Sequence, residues 1–207
     1  NWHYVVVTKD SQSSLEGKIY IDGQLAATGV WQNQSYSYTK LHIGAGLYMG
    51  WGGFFNGWLD EVRVSNVVRS ATEIDSAYNN GMNNIPFIVD PNTLGLWHMD
   101  ESLGTTFVND VNQNTGDLFN GPLFSLGKFG NAVRFVGSNQ RGDCNINIPE
   151  YSITLEYWVK LDGLSNAQTI IQPYGLYSSG NHTLVDTIIT NPTYIWSTGD
   201  TSACIWV

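Results

Sequence analysis

The eight residues Asp110-Val111-Asn112-Gln113-Asn114-Thr115-Gly116-Asp117 alternate oxygen-bearing side chains along a short loop. Calcium takes roughly six to eight oxygens, mixing carboxylates, amide oxygens and backbone carbonyls, and Asp/Asn/Gly loops supply that mixture. The same composition also makes an Asx-rich turn that hydrogen-bonds to itself. A second acidic feature is Asp60-Glu61, two adjacent acids where a loop containing Gly50, Gly52, Gly53 and Gly57 runs into the apolar Leu59, Val62 and Val64. Side by side, such carboxylates need a cation, an ion pair to Arg or Lys, or open solvent. Aromatic rings of the kind that pack under sugar C–H faces lie in loop-like stretches: Trp31, Tyr36, Tyr38, Tyr48, Trp51 and Phe54. Trp31, Tyr48 and Trp51 are the candidate ligand-binding set, with core or interface packing as the competing reading. Cys144 and Cys204 stand far apart and either form one disulfide in an oxidising compartment or remain two buried thiols. His3, His42, His98 and His182 show no metal-ligand spacing, and neither a nucleophile elbow nor a phosphate loop is present. Asn33-Gln34-Ser35 and Asn181-His182-Thr183 match the glycosylation acceptor pattern. Arg141-Gly142-Asp143 is an integrin-type tripeptide, a string short enough to arise often by chance.

These residues must be held by strands. The 207 residues include 22 Gly, 8 Trp and 11 Tyr, and only 13% are charged, which fits many short strands joined by tight turns. That length builds one large all-β domain or two small ones. A formal net charge of −9 argues against nucleic acid and suits metal cations, neutral sugars or basic partners. No apolar run approaches the length that crosses a membrane, and none resembles a signal peptide. The opening at Asn1, almost directly in a strand, is expected of a processed, excised or otherwise incomplete N-terminus.

Residues 2–8 have the composition of a central strand. Residues 18–22 form another, with Ile19 and Ile21 inward, and Asp22-Gly23 is the strongest hairpin signal in the chain. Residues 24–28 return, 40–44 form a further strand, and 61–64 a short one with one buried face. Ser70 and Glu73 form a capping box, and the helix they open is predicted to end before Asn79-Asn80-Gly81. Residues 79–92, with Pro86 and Pro91, read as a linker.

Gly57-Trp58-Leu59-Asp60-Glu61-Val62-Arg63-Val64, followed by Ser70-Ala71-Thr72-Glu73-Ile74 and Tyr78, resembles the closing segment of laminin-G-like domains, the concanavalin A-like jelly rolls. Trp2 to Asp10 and Ile19 to Gly23 resemble upstream strands of that family. After the linker, Leu94 to Glu101 resembles the family's opening strand, and Asp110 to Asn120 the loop that follows. Gly127-Lys128-Phe129-Gly130-Asn131-Ala132-Val133-Arg134-Phe135 and Ser152 to Lys160 are very like its next segments. Residues 1–80 thus resemble a C-terminal half, 81–93 a linker, and 94–207 an N-terminal half. The order admits a circular permutant, a repeat unit exchanging halves with its neighbours, or a piece cut across two domains. Two separated halves would expose long sheet edges, so a stable form reunites them, and exchange between chains is the arrangement favoured from sequence.

The resemblance implies an all-β, two-sheet antiparallel jelly-roll sandwich outside the cell or at its surface, with Trp58, Trp97 and Trp158 in the core. It also implies a structural calcium between the 110–117 loop and the strand at Asp60. That carries over to Asp60, Asp110 and Asn114, with Asn112 and Asp117 beside them; Asn112-Gln113 departs from the family's Ser-Gly, which bears on the backbone ligands. Glycosidases sharing this general fold carry Glu-x-Asp-x-x-Glu on a strand, where two carboxylates flank the scissile bond. Here Glu73-Ile74-Asp75 begins that string, but Tyr78 stands in the last acid's place, and no enzyme is expected. Two functions remain: a structural or adhesion module, including the repeating subunit of a surface fibre, or a carbohydrate-binding module of a secreted protein or glycoside hydrolase. The expected partners are neighbouring copies, other surface proteins or glycans.

Overall fold

The computed structural model describes residues 1–10, 16–30, 38–47, 51–149, 152–162, 168–174, 185–189, 193–197 and 204–206. β1 (His3–Asp10), β2 (Glu16–Ile21) and β3 (Gln24–Val30) form a meander. Its last turn is Asp22-Gly23, with φ of 51° and 81°, the doubly left-handed turn that matches the twist of a tight hairpin. β4 (Tyr38–Ile43), the two-residue β5 (Gly46–Leu47) and β6 (Trp51–Gly52), and the long β7 (Asn56–Ser65) lead to α1 (Ala71–Met82). Beyond it come β8 (Thr93–Trp97), β9 (Thr106–Val108), β10 (Thr115–Phe119), β11 (Leu123–Leu126) and β12 (Asn131–Val136). β13 (Arg141–Ile148), β14 (Ile153–Leu161), β15 (Gln168–Thr169) and β16 (Ile171–Tyr174) follow. β17 (Val185–Ile189), β18 (Thr193–Ser197) and β19 (Cys204–Trp206) pair in sequence beside β15 in a sheet of their own.

The larger sheet runs β11-β12-β7-β14-β1-β2-β3, and β8 pairs with β7 on the stretch that β12 leaves uncovered. The smaller runs β16-β4-β13-β10-β9. Val5, Val7, Leu59, Val62, Tyr157 and Val159 of the first sheet pack against Leu41, Ile43, Phe107, Ile146 and Ile171 of the second. This is the two-sheet antiparallel sandwich, with alternate residues of each strand inward. The halves interleave throughout: β7 lies between strands of the second half only, β1 pairs with β14, and β4 lies between β13 and β16.

Three local expectations are corrected. α1 continues to Met82 instead of ending before Asn79. Gly81 lies against the Trp158 indole, where a Cβ would come within 2.2 Å of the ring, so a residue that usually ends helices is here required by packing. The capping box itself is present, with Ser70 Oγ accepting from the Glu73 N–H and Glu73 Oε2 accepting from the Ser70 N–H. β7 begins at Asn56, not Glu61. Trp97 and Trp158 are buried, but Trp58 is only half-buried on the outer face. Its indole lies between Arg134 and Lys160, 4.2 and 4.1 Å from the ring centre, and its N–H donates to Ser125 Oγ at 2.9 Å. The cations on the flanking strands β12 and β14 keep the ring at the surface.

Candidate functional site

The outer face of the larger sheet gathers the polar chemistry, and an irregularity in β7 puts it there. Trp158 opposes Asp60 and Glu156 opposes Arg63, so one residue of β14 faces two of β7. Glu61 adopts φ 53°, the left-handed conformation of an extra, bulged residue. The bulge keeps Leu59, Val62 and Val64 in the inter-sheet core while Asp60, Glu61 and Arg63 find partners on the outer side.

Asp60 is fully buried. Its Oδ2 accepts from the N–H groups of Lys128 and Phe129 at 2.7 and 3.0 Å, and its Oδ1 is buried with no hydrogen-bond partner among the described residues. Burial pushes the carboxyl up to about 8, against the two N–H donors, and the neighbouring Glu61 and Asp100 push the same way. The loop that reaches it needs its glycines: a Cβ on Gly127 would meet Asp60 Oδ2 at 2.6 Å. Gly130, at φ 48°, lies so close to Asp100 that a Cβ would meet Oδ1 at 2.0 Å. Asp100 Oδ1 in turn accepts from the Asn131 N–H at 2.7 Å. Glu61 is also buried; it accepts from the Phe87 N–H at 2.7 Å and pairs with His98 Nδ1. His98 Nε2 lies 3.2 Å from Asp110 Oδ2. A ring held between two carboxylates donates from both nitrogens, and the Glu61 hydrogen bond raises the His98 pKa against the effect of burial.

The residues proposed as calcium ligands are therefore engaged as follows. Asp60 offers one buried oxygen without a partner, and Asp110 leans on His98. Asn112 Oδ1 accepts from the Asn114 N–H at 3.0 Å, within a loop that Asn109 closes by accepting from Leu96 and Val111. Among the described residues, no three of His, Cys, Asp and Glu converge as a metal cage. Trp31, Tyr48 and the two glycosylation acceptors Asn33 and Asn181 lie outside the described residues, as does the side chain of Trp51 in β6. Cys144 is a buried free thiol whose Sγ donates to the Leu41 carbonyl, and burial pushes its pKa up; the Cys204 side chain lies outside the described residues. Arg141-Gly142-Asp143 is not a loop tip: it sits in β13, between β10 and β4. Glu73, Asp75 and Tyr78 are on α1, where Glu73 caps the helix and Tyr78 stacks on Tyr4 and Trp158.

Further along the same face, Glu156 is fully buried between Arg63 (Nε to Oε2, 2.8 Å; Nη2 to Oε1, 3.0 Å) and Arg69 (Nε to Oε2, 2.9 Å), and it accepts from the Tyr4 hydroxyl. Over it, α1 and residues 85–88 border an open hollow of about 260 Å³, lined by Arg63, Arg69, Glu73, Ser76, Asn80 and Ile88, among others. Sequence reading gave none of this group a binding role, although Arg63, Glu73 and Asn80 stood in the motifs it singled out. The available signal was the spacing of Leu59 and Val62, three apart in a strand that otherwise alternates, which marks a bulge and turns Arg63 outward.

Residues 1–75 match the family model described as the concanavalin A-like lectin/glucanases superfamily. Neither the comparison with curated proteins nor that with solved structures returns a match. The family match supports a binding module of the general lectin or adhesion type. Residues 1–75 are thus similar to the concanavalin A-like superfamily, and with the strands of residues 93–174 they form a two-sheet antiparallel sandwich consistent with a jelly roll of that kind.

Proposed function

We propose that the chain is a non-catalytic extracellular adhesion module that works through the pairing of residues 1–82 with the strands that follow residue 92. The observation that carries this is the position of β7, whose neighbours β12, β8 and β14 all come from the other half. Residues 83–92 are the only covalent connection between the halves. The hydrogen bonds that pair the halves within this chain could equally form between copies, which is how identical elements are exchanged in surface assemblies. Glu73 and Tyr78 are committed to helix capping and ring stacking, which supports binding rather than hydrolysis. The usual station of laminin-G-like domains supports an extracellular or cell-surface location.

Calcium enters this reading through Asp60. A buried carboxylate oxygen without a partner is the chemistry a hard cation satisfies, and the cation's charge would offset the cost of ionising the buried group. Asp110 and the amide oxygens of Asn112 and Asn114 are the remaining candidate donors.

Light scattering behind size exclusion, in calcium and in EDTA, tests both parts. Dimers or longer assemblies that rise with protein concentration are expected for exchange; a monomer at every concentration would end the assembly reading. Calcium is expected to raise Tm in the wild type and to have no effect on Asp60→Asn. An equal calcium effect on both would remove Asp60 from the site. A second reading, carbohydrate binding, is favoured by the mixed polar and apolar walls of the hollow under α1.

A further inference from the structure

We infer that the hollow between α1 and residues 85–88 is a binding site for a single neutral sugar ring, an inference that rests on the carbohydrate-binding reading. Its floor is made of two guanidinium groups, each about nine-tenths buried. Arg63 commits Nε and Nη2 to Glu156, leaving Nη1 with a long 3.4 Å contact to the Ile88 carbonyl at the wall. Arg69 commits Nε and Nη2 to Glu156, Ser65 and Asp90. Its Nη1 lies 3.9 Å from Glu73 Oε1, beyond hydrogen-bond distance. Both remaining donor groups thus have their nearest partners in residues that line the hollow, and both suit an oxygen acceptor entering it.

The rim supplies the complementary groups. Glu73 has a second carboxylate oxygen, and the exposed side chains of Ser76 and Asn80 lie on the same helix face at i and i+4. Ile85, half exposed, and Ile88, 71% exposed, give apolar surface for C–H groups. A sugar hydroxyl both donates and accepts, so it matches a wall that mixes guanidinium donors with carboxylate, hydroxyl and amide groups. Charge decides between a neutral and an acidic ligand. Against Arg63 and Arg69 stand Glu156, Asp90 and Glu73, one negative charge in excess, so an anion gains no net attraction. An open hollow of about 260 Å³ has room for one ring and leaves any further residues of a chain to solvent. The floor is also held rigid, with Arg63 stacked 4.3 Å over Phe87 and the Phe87 N–H tied to Glu61. Little ordering is left for the ligand to impose.

The test is saturation-transfer NMR and calorimetry on the whole chain with D-glucose, D-galactose, D-mannose, N-acetyl-D-glucosamine and D-glucuronate. At least one neutral sugar is expected to bind with a Kd on the order of millimolar, as a ligand of that size allows. Ser76→Trp, which fills the hollow from an exposed helix position, is expected to weaken binding at least about tenfold with Tm unchanged, and Asn80→Ala to weaken it several-fold. Binding that neither substitution weakens would overturn this site while leaving carbohydrate binding elsewhere on the chain. No binding of any neutral sugar would overturn the site and the carbohydrate reading together, leaving the adhesion reading untouched. Tighter binding of glucuronate than of glucose would overturn the assignment to a neutral ligand.

Discussion

Glu156 is the residue with most to lose. It is wholly buried, and its two oxygens satisfy two buried guanidinium groups and the Tyr4 hydroxyl at once. A buried ion pair adds little net stability compared with an apolar pair, but removing one partner leaves an uncompensated charge in a poorly solvated place. Glu156→Ala is therefore expected to destabilise the fold by about 3–5 kcal/mol in urea unfolding. A loss below about 1 kcal/mol would mean that water or rearranged side chains already serve the two arginines. From sequence alone Glu156 is one outward position of an alternating strand, between Leu155 and Tyr157. Its partners, Arg63 and Arg69, come from the other half of the chain, and a single sequence carries no mark of that contact. Asp60 was legible as an acid in need of a partner. That its partners are backbone N–H groups of a glycine loop rather than Arg or Lys was not, because backbone donors have no side-chain signature.

Among the elements, the strap of residues 85–92 joins the halves, and its residues 85–88 line one side of the hollow. It is tied by the Glu61–Phe87 hydrogen bond and by Asp90, which meets Arg69 at 2.7 Å. Partial burial raises the Asp90 carboxyl, but the hydrogen bond and charge of Arg69, with the Asn92 N–H and the Thr93 hydroxyl, outweigh it and hold the group below the ordinary carboxylate range. A depressed folded pKa contributes stability that is present above the unfolded value of about 3.9 and is lost as pH falls through the folded value. The strap is thus expected to stay closed down to about pH 4 and to loosen below it. The Asn92 amide shift, reporting its 2.9 Å bond to Asp90 Oδ1, should titrate with a midpoint below about 3.9; a midpoint above that value would contradict the tie. Elements with local signals were the legible ones: the Asp22-Gly23 turn and the Ser70–Glu73 box. The end of α1 and the bulge were not, since Gly81 is chosen by Trp158 and nothing in a glutamate announces a left-handed backbone at Glu61.

At the scale of the whole molecule, the family resemblance of residues 1–75 was readable from short local motifs, whose order along the chain was read as second half before first. What the order did not reveal was how the halves meet, which depends on pairings between residues far apart in sequence. Those pairings put β7 in the interior of the larger sheet, held on both edges by strands from beyond the linker. Both the adhesion reading and the hollow under α1 depend on that placement. Native-state hydrogen exchange of the β7 amides, residues 59–64, addresses it most directly. If the halves complete one sandwich, these amides are protected to the level of global unfolding, together with those of β14 and β1. Rapid exchange in β7 while β10 and β13 stay protected would mean that the halves do not pair, and would contradict the account at its centre.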